Sequence, residues 1–320
     1  MVLLSIGACG HPEQKFAITV TDEKGEPMEG IECKAWFKKP GEGTPIKDYF
    51  VTDKTNDAGM VELSGETIWA PTSVEARKTG YYLSSVGDHW TIKRNGKHWE
   101  PWPVEVGLVM KKIRDPKPMY AVKPHGEIRF RQPDQSVKKA YGFDLMSMDW
   151  VAPFGSGKIA DMMIRFVPED LNDKGFIEQN GRRIYHHRKG NVVISFPNQG
   201  DGIQRIDDSS HSQLVGPAQS PENGYVGQME FPNAVDEAEP PLLGRICHVF
   251  RIRTELDEDG NVKSSYYGKM DGGIKGTFSS KPYFRMTYYL NGNPNDRGLE
   301  WDMKTNLFQK LPSSQWPQNP

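Results

Sequence analysis

Apolar and polar residues alternate along most of the chain. In 16–21 the apolar positions are Phe16, Ile18 and Val20, and in 31–37 every second residue is apolar. Because successive side chains of a strand point to opposite faces, this period of two predicts β-strands with one buried face. Trp36 falls among the charged positions of its segment, so we expect it to be half exposed or covered by a loop.

The second half of the chain shows the same alternation. Residues 246–254 lead through the turn 258–261 into 263–268, which predicts a hairpin. Further strand-like segments lie at 160–166, 191–196 and 284–290. Helical patterns are few, so we predict an all-β protein of two β-sandwich domains, with long loops at 199–222 and 233–241 in the larger second one.

Prolines mark the predicted boundary between the domains. Pro116 and Pro118 remove backbone donors and stiffen the chain, which is typical of a linker. We therefore expect a linker at 114–122. The other predicted parts are an N-terminal arm at 1–13, a first domain at 14–113, a second domain at 123–311 and a flexible tail at 312–320.

Three turn motifs follow one another in the first domain. They are Val20-x-Asp22-x-x-Gly25-x-Pro27-x-x-Gly30, Asn56-Asp57-Ala58-Gly59-Met60-Val61 and Glu75-Ala76-x-Lys78-x-Gly80-Tyr81. In this order they resemble the carboxypeptidase regulatory-like domain, also described as transthyretin-like or prealbumin-like. The resemblance implies a small Ig-like β-sandwich that serves as an accessory module and carries no catalytic residue.

A second set of motifs lies in the second domain. They are Tyr141-Gly142-Phe143-Asp144-Leu145, Asp149-Trp150-Val151-Ala152-Pro153, Gly200-Asp201-Gly202-Ile203 and Asn293-Pro294-Asn295-Asp296-Arg297. They resemble an uncharacterised domain of predicted exported proteins of environmental and gut bacteria. This resemblance implies export but no particular activity.

The first ten residues are mostly apolar, with the small residues Gly7 and Ala8 directly before Cys9. This resembles the end of a bacterial lipoprotein signal, in which the cysteine receives the lipid, although no basic region precedes it and the apolar stretch is short. It predicts an extracytoplasmic protein with a lipid anchor at Cys9. The alternative is an N-terminal strand that ends in a His-Pro turn. No other segment approaches the roughly 18 apolar residues of a membrane span.

The charge and the cysteine content of the chain argue against some functional classes. The 320 residues carry a net charge of −2 and no long basic run, so nucleic acid is a poor candidate partner. The cysteines form no CxxC motif, which leaves zinc-ribbon and thioredoxin-like sites without support. We expect Cys33 and Cys247 to be buried thiols, and a bridge between them is the alternative.

Aromatic residues are concentrated near the end of the first domain. Trp69, Trp90, Trp99 and Trp102 lie close together in the sequence, with Tyr82 among them. A small sandwich needs one or two core tryptophans, so the surplus predicts a surface on which a sugar ring stacks. A core or domain-interface role is the alternative.

Acidic residues supply the remaining candidates. Asp201, Asp207 and Asp208 lie in a predicted polar loop and are candidate calcium ligands, calcium being the one cofactor that we consider. We predict a non-catalytic surface module that binds a glycan or takes part in an envelope assembly. The alternative is a polysaccharide hydrolase, which needs two carboxylates about 5–10 Å apart. Its candidate acids are Asp149, Asp161, Asp201 and Asp208.

Overall fold

The structure, a computed structural model, describes most of the chain. The described residues are 11–40, 46–69, 73–87, 93–123, 130–133, 139–170, 176–179, 182–185, 189–232, 245–277 and 283–320. The fold is all-β, as predicted. The chain divides into two units, of which the first comprises the described residues up to Ile113 together with Ser209–Gln213, and the second comprises the others.

Nine strands form the described part of the first unit. They are β1 (Glu13–Asp22), β2 (Glu32–Lys39), β3 (Lys47–Lys54), β4 (Met60–Glu66), β5 (Ser73–Arg77), β6 (Ser84–Gly87), β7 (Lys93–Asn95), β8 (His98–Glu100) and β9 (Val104–Met110). In one sheet β1 pairs antiparallel with β4 and parallel with β9, and the β7–β8 hairpin joins the start of β1. The other sheet is antiparallel with the order β3-β2-β5-β6.

The predicted alternation forms the core of this unit. Phe16, Ile18 and Val20 of β1 are fully buried, as are Cys33, Ala35 and Phe37 of β2. Burying each large apolar side chain contributes about 1.5–3 kcal/mol, so these two faces supply much of the stabilisation. Trp36 lies on the opposite face of β2 and is half-buried, which confirms the expectation for it.

A short distant segment completes the first unit. The amide of Val109 in β9 donates to Ser210 O (3.1 Å), and Ser84 of β6 forms a bridge with Ser212. Ser209–Gln213 therefore pairs with one edge strand of each sheet. This satisfies backbone groups that would otherwise form open sheet edges.

The second unit contains two larger sheets and a separate hairpin. Its strands are β10 (Lys117–Val122), β11 (Phe130–Arg131), β12 (Tyr141–Asp144), β13 (Asp149–Trp150), β14 (Met162–Pro168), β15 (Phe176–Gln179), β16 (Arg182–Tyr185), β17 (Gly190–Ser195), β18 (Gly202–Asp208), β19 (Gln228–Pro232), β20 (Arg245–Leu256), β21 (Val262–Thr277), β22 (Tyr283–Asn291) and β23 (Trp301–Asn306). One sheet has the order β18-β20-β21-β22-β10-β23 with β11 also on β22, the other has the order β13-β12-β14-β17-β19, and β15 pairs with β16. Apolar residues of both sheets share one large core cluster, in which Phe284 contacts the rings of Phe130, Phe143 and Trp150, and smaller clusters lie beside it.

The predicted linker at 114–122 is mostly a strand. β10 pairs with β22 from Met119 to Val122, and Met119, Ala121 and Val122 are fully buried. Pro118 lies where the register between β10 and β23 shifts, a position at which the ladder does not require an N–H. Of the predicted linker, only residues 114–116 therefore lie outside the strands.

The predicted flexible tail at 312–320 has defined packing. The ring of Trp316 lies 5.9 Å from that of Trp301, and Tyr289 Oη donates to Asn319 O (3.0 Å). A short 3₁₀ turn occupies Ser313–Gln315. The predicted long loop at 199–222 is also corrected in part, because it contains β18.

The structure describes two of the cysteines, Cys33 and Cys247. Both are buried thiols and no disulfide joins them, so the alternative of a bridge between them is wrong. Burial and the adjacent Glu32 raise the pKa of Cys33 to about 12, which leaves it a neutral core residue. Within the described residues, no helix is long and apolar enough to cross a membrane.

Candidate functional site

Thr67 organises the aromatic residues of the first unit. It is fully buried directly after β4, its amide donates to Pro12 O (2.9 Å), and its carbonyl accepts from Trp99 Nε1 (3.0 Å). Its hydroxyl donates to Trp69 O (2.6 Å) and accepts from Lys38 N (3.2 Å). Thr67 thus fixes the backbone of Trp69 and the indole of Trp99, both of which were predicted as site residues.

Trp102 belongs to the same end of this sandwich. It lies two residues before β9, whose first residue, Val104, pairs with Phe16 near the start of β1. The Trp102 ring is 4.4 Å from the ring of His98, which pairs with Glu13. We call Trp69, His98, Trp99 and Trp102 the aromatic end.

Two indoles of the aromatic end face solvent. Trp69 is 59% exposed and Trp102 is 37% exposed, whereas Trp99 is half-buried with its indole N–H engaged. The buried side chain of Gln14 donates from Nε2 to Pro101 O (3.2 Å), which fixes the loop next to Trp102. Exposed indoles on an anchored backbone provide flat apolar surface whose ordering costs little further entropy.

The other two predicted aromatic residues have different outcomes. Tyr82 is buried, and its amide donates to Lys111 O (2.9 Å) just beyond the end of β9. The seven residues of β9 separate it from Trp102 by about 20 Å at 3.3 Å per residue. Tyr82 is therefore not part of the aromatic end, and Trp90 lies outside the described residues.

A further exposed aromatic residue, Phe50, was not predicted from the sequence. It pairs with Trp36 across β2 and β3, with ring centroids 5.0 Å apart, and it is 51% exposed. The ammonium of Lys34 lies 4.5 Å from the Phe50 ring centroid. The available signal was the position of Trp36 on the charged face, because a strand partner on that face must also point outward.

The three candidate calcium ligands are not brought together. Asp201 precedes β18 and accepts hydrogen bonds from Arg253 N (2.9 Å) and Thr254 N (2.8 Å). Asp207 and Asp208 lie at the other end of that strand, roughly 20 Å away at 3.3 Å per residue. Asp207 pairs with Arg205, and Asp208 accepts from Gly216 N (2.6 Å). In the described part of the chain, no group of three metal-ligating side chains is arranged to hold an ion.

Asp161 and Asp144 form a buried ionic network with Arg253. Arg253 donates from Nε to Asp161 Oδ1 (2.7 Å) and from Nη2 to Asp161 Oδ2 (3.1 Å) and Asp144 Oδ1 (2.9 Å). It lies at a register shift of β20 with φ of 52°. The charged groups of Asp144, Asp161 and Arg253 thus converge inside the second unit. Of these three, only Asp161 was predicted as a site residue from the sequence.

The network holds its acids as ion-pair partners. Burial opposes ionisation of Asp144, but hydrogen bonds from Lys158 N and from Ser147 outweigh it and lower the pKa. Burial raises the pKa of Asp161 despite the charge of Arg253. Tyr288 is fully buried nearby, and its hydroxyl donates to Leu145 O (2.7 Å). These contacts are typical of a stabilising polar cluster.

The remaining candidate acid also has local partners. Asp149 accepts hydrogen bonds from Ser156 N (2.7 Å), Ser156 Oγ (2.8 Å) and Trp150 N (2.8 Å). It therefore holds the loop between β13 and β14. All four candidate acids accept hydrogen bonds from backbone amides or from arginine; they are Asp149, Asp161, Asp201 and Asp208.

Comparison with known proteins gives little further guidance. No protein-family model and no curated protein matches the chain. A mutant of the shaft pilin spaA from Lactobacillus rhamnosus GG is similar over 69% of this chain and 93% of its own, at 12% identity and a TM-score of 0.20. A DUF3823 family protein from Parabacteroides merdae is similar over 86% of this chain and 96% of its own, at 8% identity and a TM-score of 0.17. At these TM-scores neither similarity bears on the function of this chain.

Proposed function

We propose that this chain is a non-catalytic surface protein that binds a glycan through the aromatic end of its first unit. The observation that carries the proposal is the solvent exposure of Trp69 and Trp102 at one end of an otherwise well-packed sandwich. Sugar rings present flat apolar C–H faces, which stack on exposed indoles. Large exposed aromatic side chains are a recognised mark of binding surfaces.

The proposal includes the nature of the first unit and its location. The order of turns in 14–113 favours an accessory domain of the carboxypeptidase regulatory-like type, and such domains carry no active site. An extracytoplasmic location with a lipid anchor at Cys9 remains a prediction from the sequence, because Cys9 lies outside the described residues. A role in an envelope assembly is compatible with the same surface.

The hydrolase alternative receives less support. Glycoside hydrolysis requires two carboxyl groups that flank the substrate, one of them free to exchange a proton. Asp161 is fully buried and paired with Arg253, and Asp201 accepts from two backbone amides of β20. A free carboxylate pair facing a cleft is the feature that would favour this alternative.

A glycan array with designed variants tests the proposal. We expect the full chain to bind a subset of glycans, and Trp69→Ala with Trp102→Ala to weaken that binding at least tenfold, because central aromatic contacts each contribute more than about 1 kcal/mol. Phe154→Ala is the matched control, since it removes a similarly exposed aromatic side chain that belongs to the second unit. An array without signal, or equal binding by the double variant, would refute the proposal.

A further inference from the structure

The second unit contains an open cleft of about 670 Å³ between the β20–β21 turn and two neighbouring loops. This volume falls within the roughly 300–1,000 Å³ that is usual for small-ligand sites. Two of the sequence motifs to which no function was assigned meet here, because Gly200 belongs to one of them and Asn295 and Arg297 belong to the other. The cleft involves none of the residues of the aromatic end.

The charge of the cleft differs from that of the whole chain. Among the described residues that line it, Arg251, Lys263 and Arg297 are cationic and Glu222 is the one carboxylate. The acids of the β20–β21 turn, at 257–259, lie outside this lining. The chain as a whole carries a net charge of −2. A local surplus of cations on an acidic protein attracts anions selectively, and a concave surface focuses that potential.

Arg251 is held in place for such a role. It donates from Nε to Gly200 O (2.8 Å) and from Nη1 to Glu222 O (3.3 Å), and its guanidinium lies 4.7 Å from the ring centroid of Tyr225. Tyr225 is itself fixed, because its hydroxyl donates to Pro221 O (2.7 Å). Among the described residues, the bonds of Arg251 engage Nε and Nη1 and leave Nη2 for a ligand.

Gly200 is required for this geometry. Its φ is +86°, and a Cβ atom there would approach Thr254 Cγ2 to 2.8 Å. Its carbonyl is the acceptor that orients Arg251. Asp201 binds the amides of Arg253 and Thr254 and so attaches this turn to β20.

Arg297 is paired with a group that a ligand can replace. Its Nη1 lies 3.0 Å from Glu222 Oε1, and the Glu222 side chain is 74% exposed. Exposed ion pairs of this kind contribute little to stability, so a ligand carboxylate can take the place of Glu222 at small cost. The planar guanidinium group matches a carboxylate in a bidentate manner.

The other polar residues that line the cleft indicate which groups a ligand would carry besides its negative charge. The side-chain amides of the lining belong to Gln199, Asn223, Asn261 and Asn295. Asn261 Nδ2 already donates to Asp257 Oδ2 (3.2 Å) and Asn295 Oδ1 already accepts from Ser265 N (3.1 Å), but each amide retains a further donor and acceptor position. Paired donors and acceptors of this kind suit vicinal hydroxyl groups. We infer that this cleft binds a saccharide that carries a carboxylate, with Arg251, Lys263 and Arg297 at the acidic group and the amides at the hydroxyls.

The inference is tested by titrating the full chain with a uronic-acid oligosaccharide and its carboxyl-reduced neutral counterpart. We expect the acidic form to bind at least tenfold more tightly, and the difference to shrink as salt is raised. Sulfated oligosaccharide, single-stranded DNA and inorganic phosphate form the other arms. Equal binding of the acidic and neutral forms, or equal or tighter binding of any of these other anions, would overturn the inference.

Variants distinguish binding in this cleft from a general effect of the protein's charge on anion binding. Arg297→Gln with Lys263→Gln should weaken uronate binding at least tenfold, and Glu222→Gln should strengthen it by removing the competing carboxylate. Arg205→Gln, an exposed arginine that does not line the cleft, is the control. Trp69→Ala with Trp102→Ala should leave uronate binding unchanged, so failure of the proposed function and failure of this inference can be told apart. Uronate binding that survives Arg297→Gln with Lys263→Gln would contradict the assignment.

Discussion

Arg253 compensates the negative charge of two buried carboxylates in the second unit. Asp161 is fully buried, and Asp144 is nearly so. Both depend on one guanidinium that is itself largely buried. Removing one partner of such a network leaves uncompensated charge in a medium of low polarity, which is far more costly than breaking an exposed pair.

We therefore predict that Arg253→Met lowers the free energy of unfolding by about 3–5 kcal/mol. Arg205→Met, which breaks the exposed pair with Asp207, should change it by less than about 1 kcal/mol. Chemical denaturation of both variants measures the difference. Adding Asp144→Asn and Asp161→Asn to Arg253→Met should recover part of the loss, and no recovery would contradict uncompensated charge as its cause.

His248 gives the second unit a pH dependence. It is buried in β20, and its ring centroid lies 5.0 Å from that of Phe231. Burial, assisted by the charge of Arg205 and opposed by Asp207, lowers the pKa of His248 from 6.5 to about 4. Between these values the unfolded chain binds a proton that the folded chain does not, so stability falls as the pH decreases from 6.5 towards 4.

This shift corresponds to a loss of about 3 kcal/mol in the free energy of unfolding between pH 6.5 and 4. His248→Gln should remove that part of the pH dependence, whereas the exposed His11→Gln should leave it unchanged. Denaturation midpoints measured across this pH range provide the test. A profile for His248→Gln that follows the wild type would show that other groups cause the dependence.

At the scale of elements, the C-terminal segment acts as part of the second unit. Trp316 packs against Trp301, and its indole N–H donates to Leu311 O (3.2 Å). The buried ammonium of Lys269 donates to Pro320 O (3.0 Å). The segment thus covers polar and apolar groups of β21 and β23 at once.

We predict that Trp316→Ala lowers the free energy of unfolding by about 2 kcal/mol, less than the 3–5 of a fully buried tryptophan because the ring is half-buried. Ser314→Ala, an exposed substitution in the adjacent turn, is the control and should have little effect. Thermal unfolding of the two variants measures the difference. Equal stability of both would mean that the tail does not contribute to the fold.

The sequence pattern predicted most strands but not those that depend on distant partners. Period-two alternation revealed β1, β2, β20 and β22, whose buried faces are long enough to give a clear signal. β10 was missed because Pro118 and the preceding Pro116 resemble the prolines of a linker, and its burial comes from β22 and β23, which lie more than 150 residues away in the chain. Local patterns carry no information about such pairing.

The candidate sites also include features that the sequence predicted and features that depend on the fold. The concentration of tryptophans near 69–102 was visible in the sequence, but the hydrogen bonds of Thr67 that bring Trp69 and Trp99 together were not. Asp201 and Asp207 are close in sequence yet lie at opposite ends of β18. Asp161 and Arg253 are distant in sequence yet in direct contact. Spacing along the chain predicted neither arrangement.

At the scale of the whole molecule, the described part of each unit includes a surface that we propose for binding. The first exposes indoles at its aromatic end, and the second exposes arginine and amide groups in its cleft. The candidate acids of the second unit are instead engaged by backbone and arginine partners. On these two surfaces rest our proposals that the chain binds saccharides.

The most direct test of this account is a calorimetric titration of the best array ligand into the wild type and into Trp69→Ala with Trp102→Ala. The account predicts saturable binding by the wild type, an affinity at least tenfold lower for the double variant and a ligand of unchanged length after incubation. Affinities within twofold of one another, or shortened ligand, would contradict it.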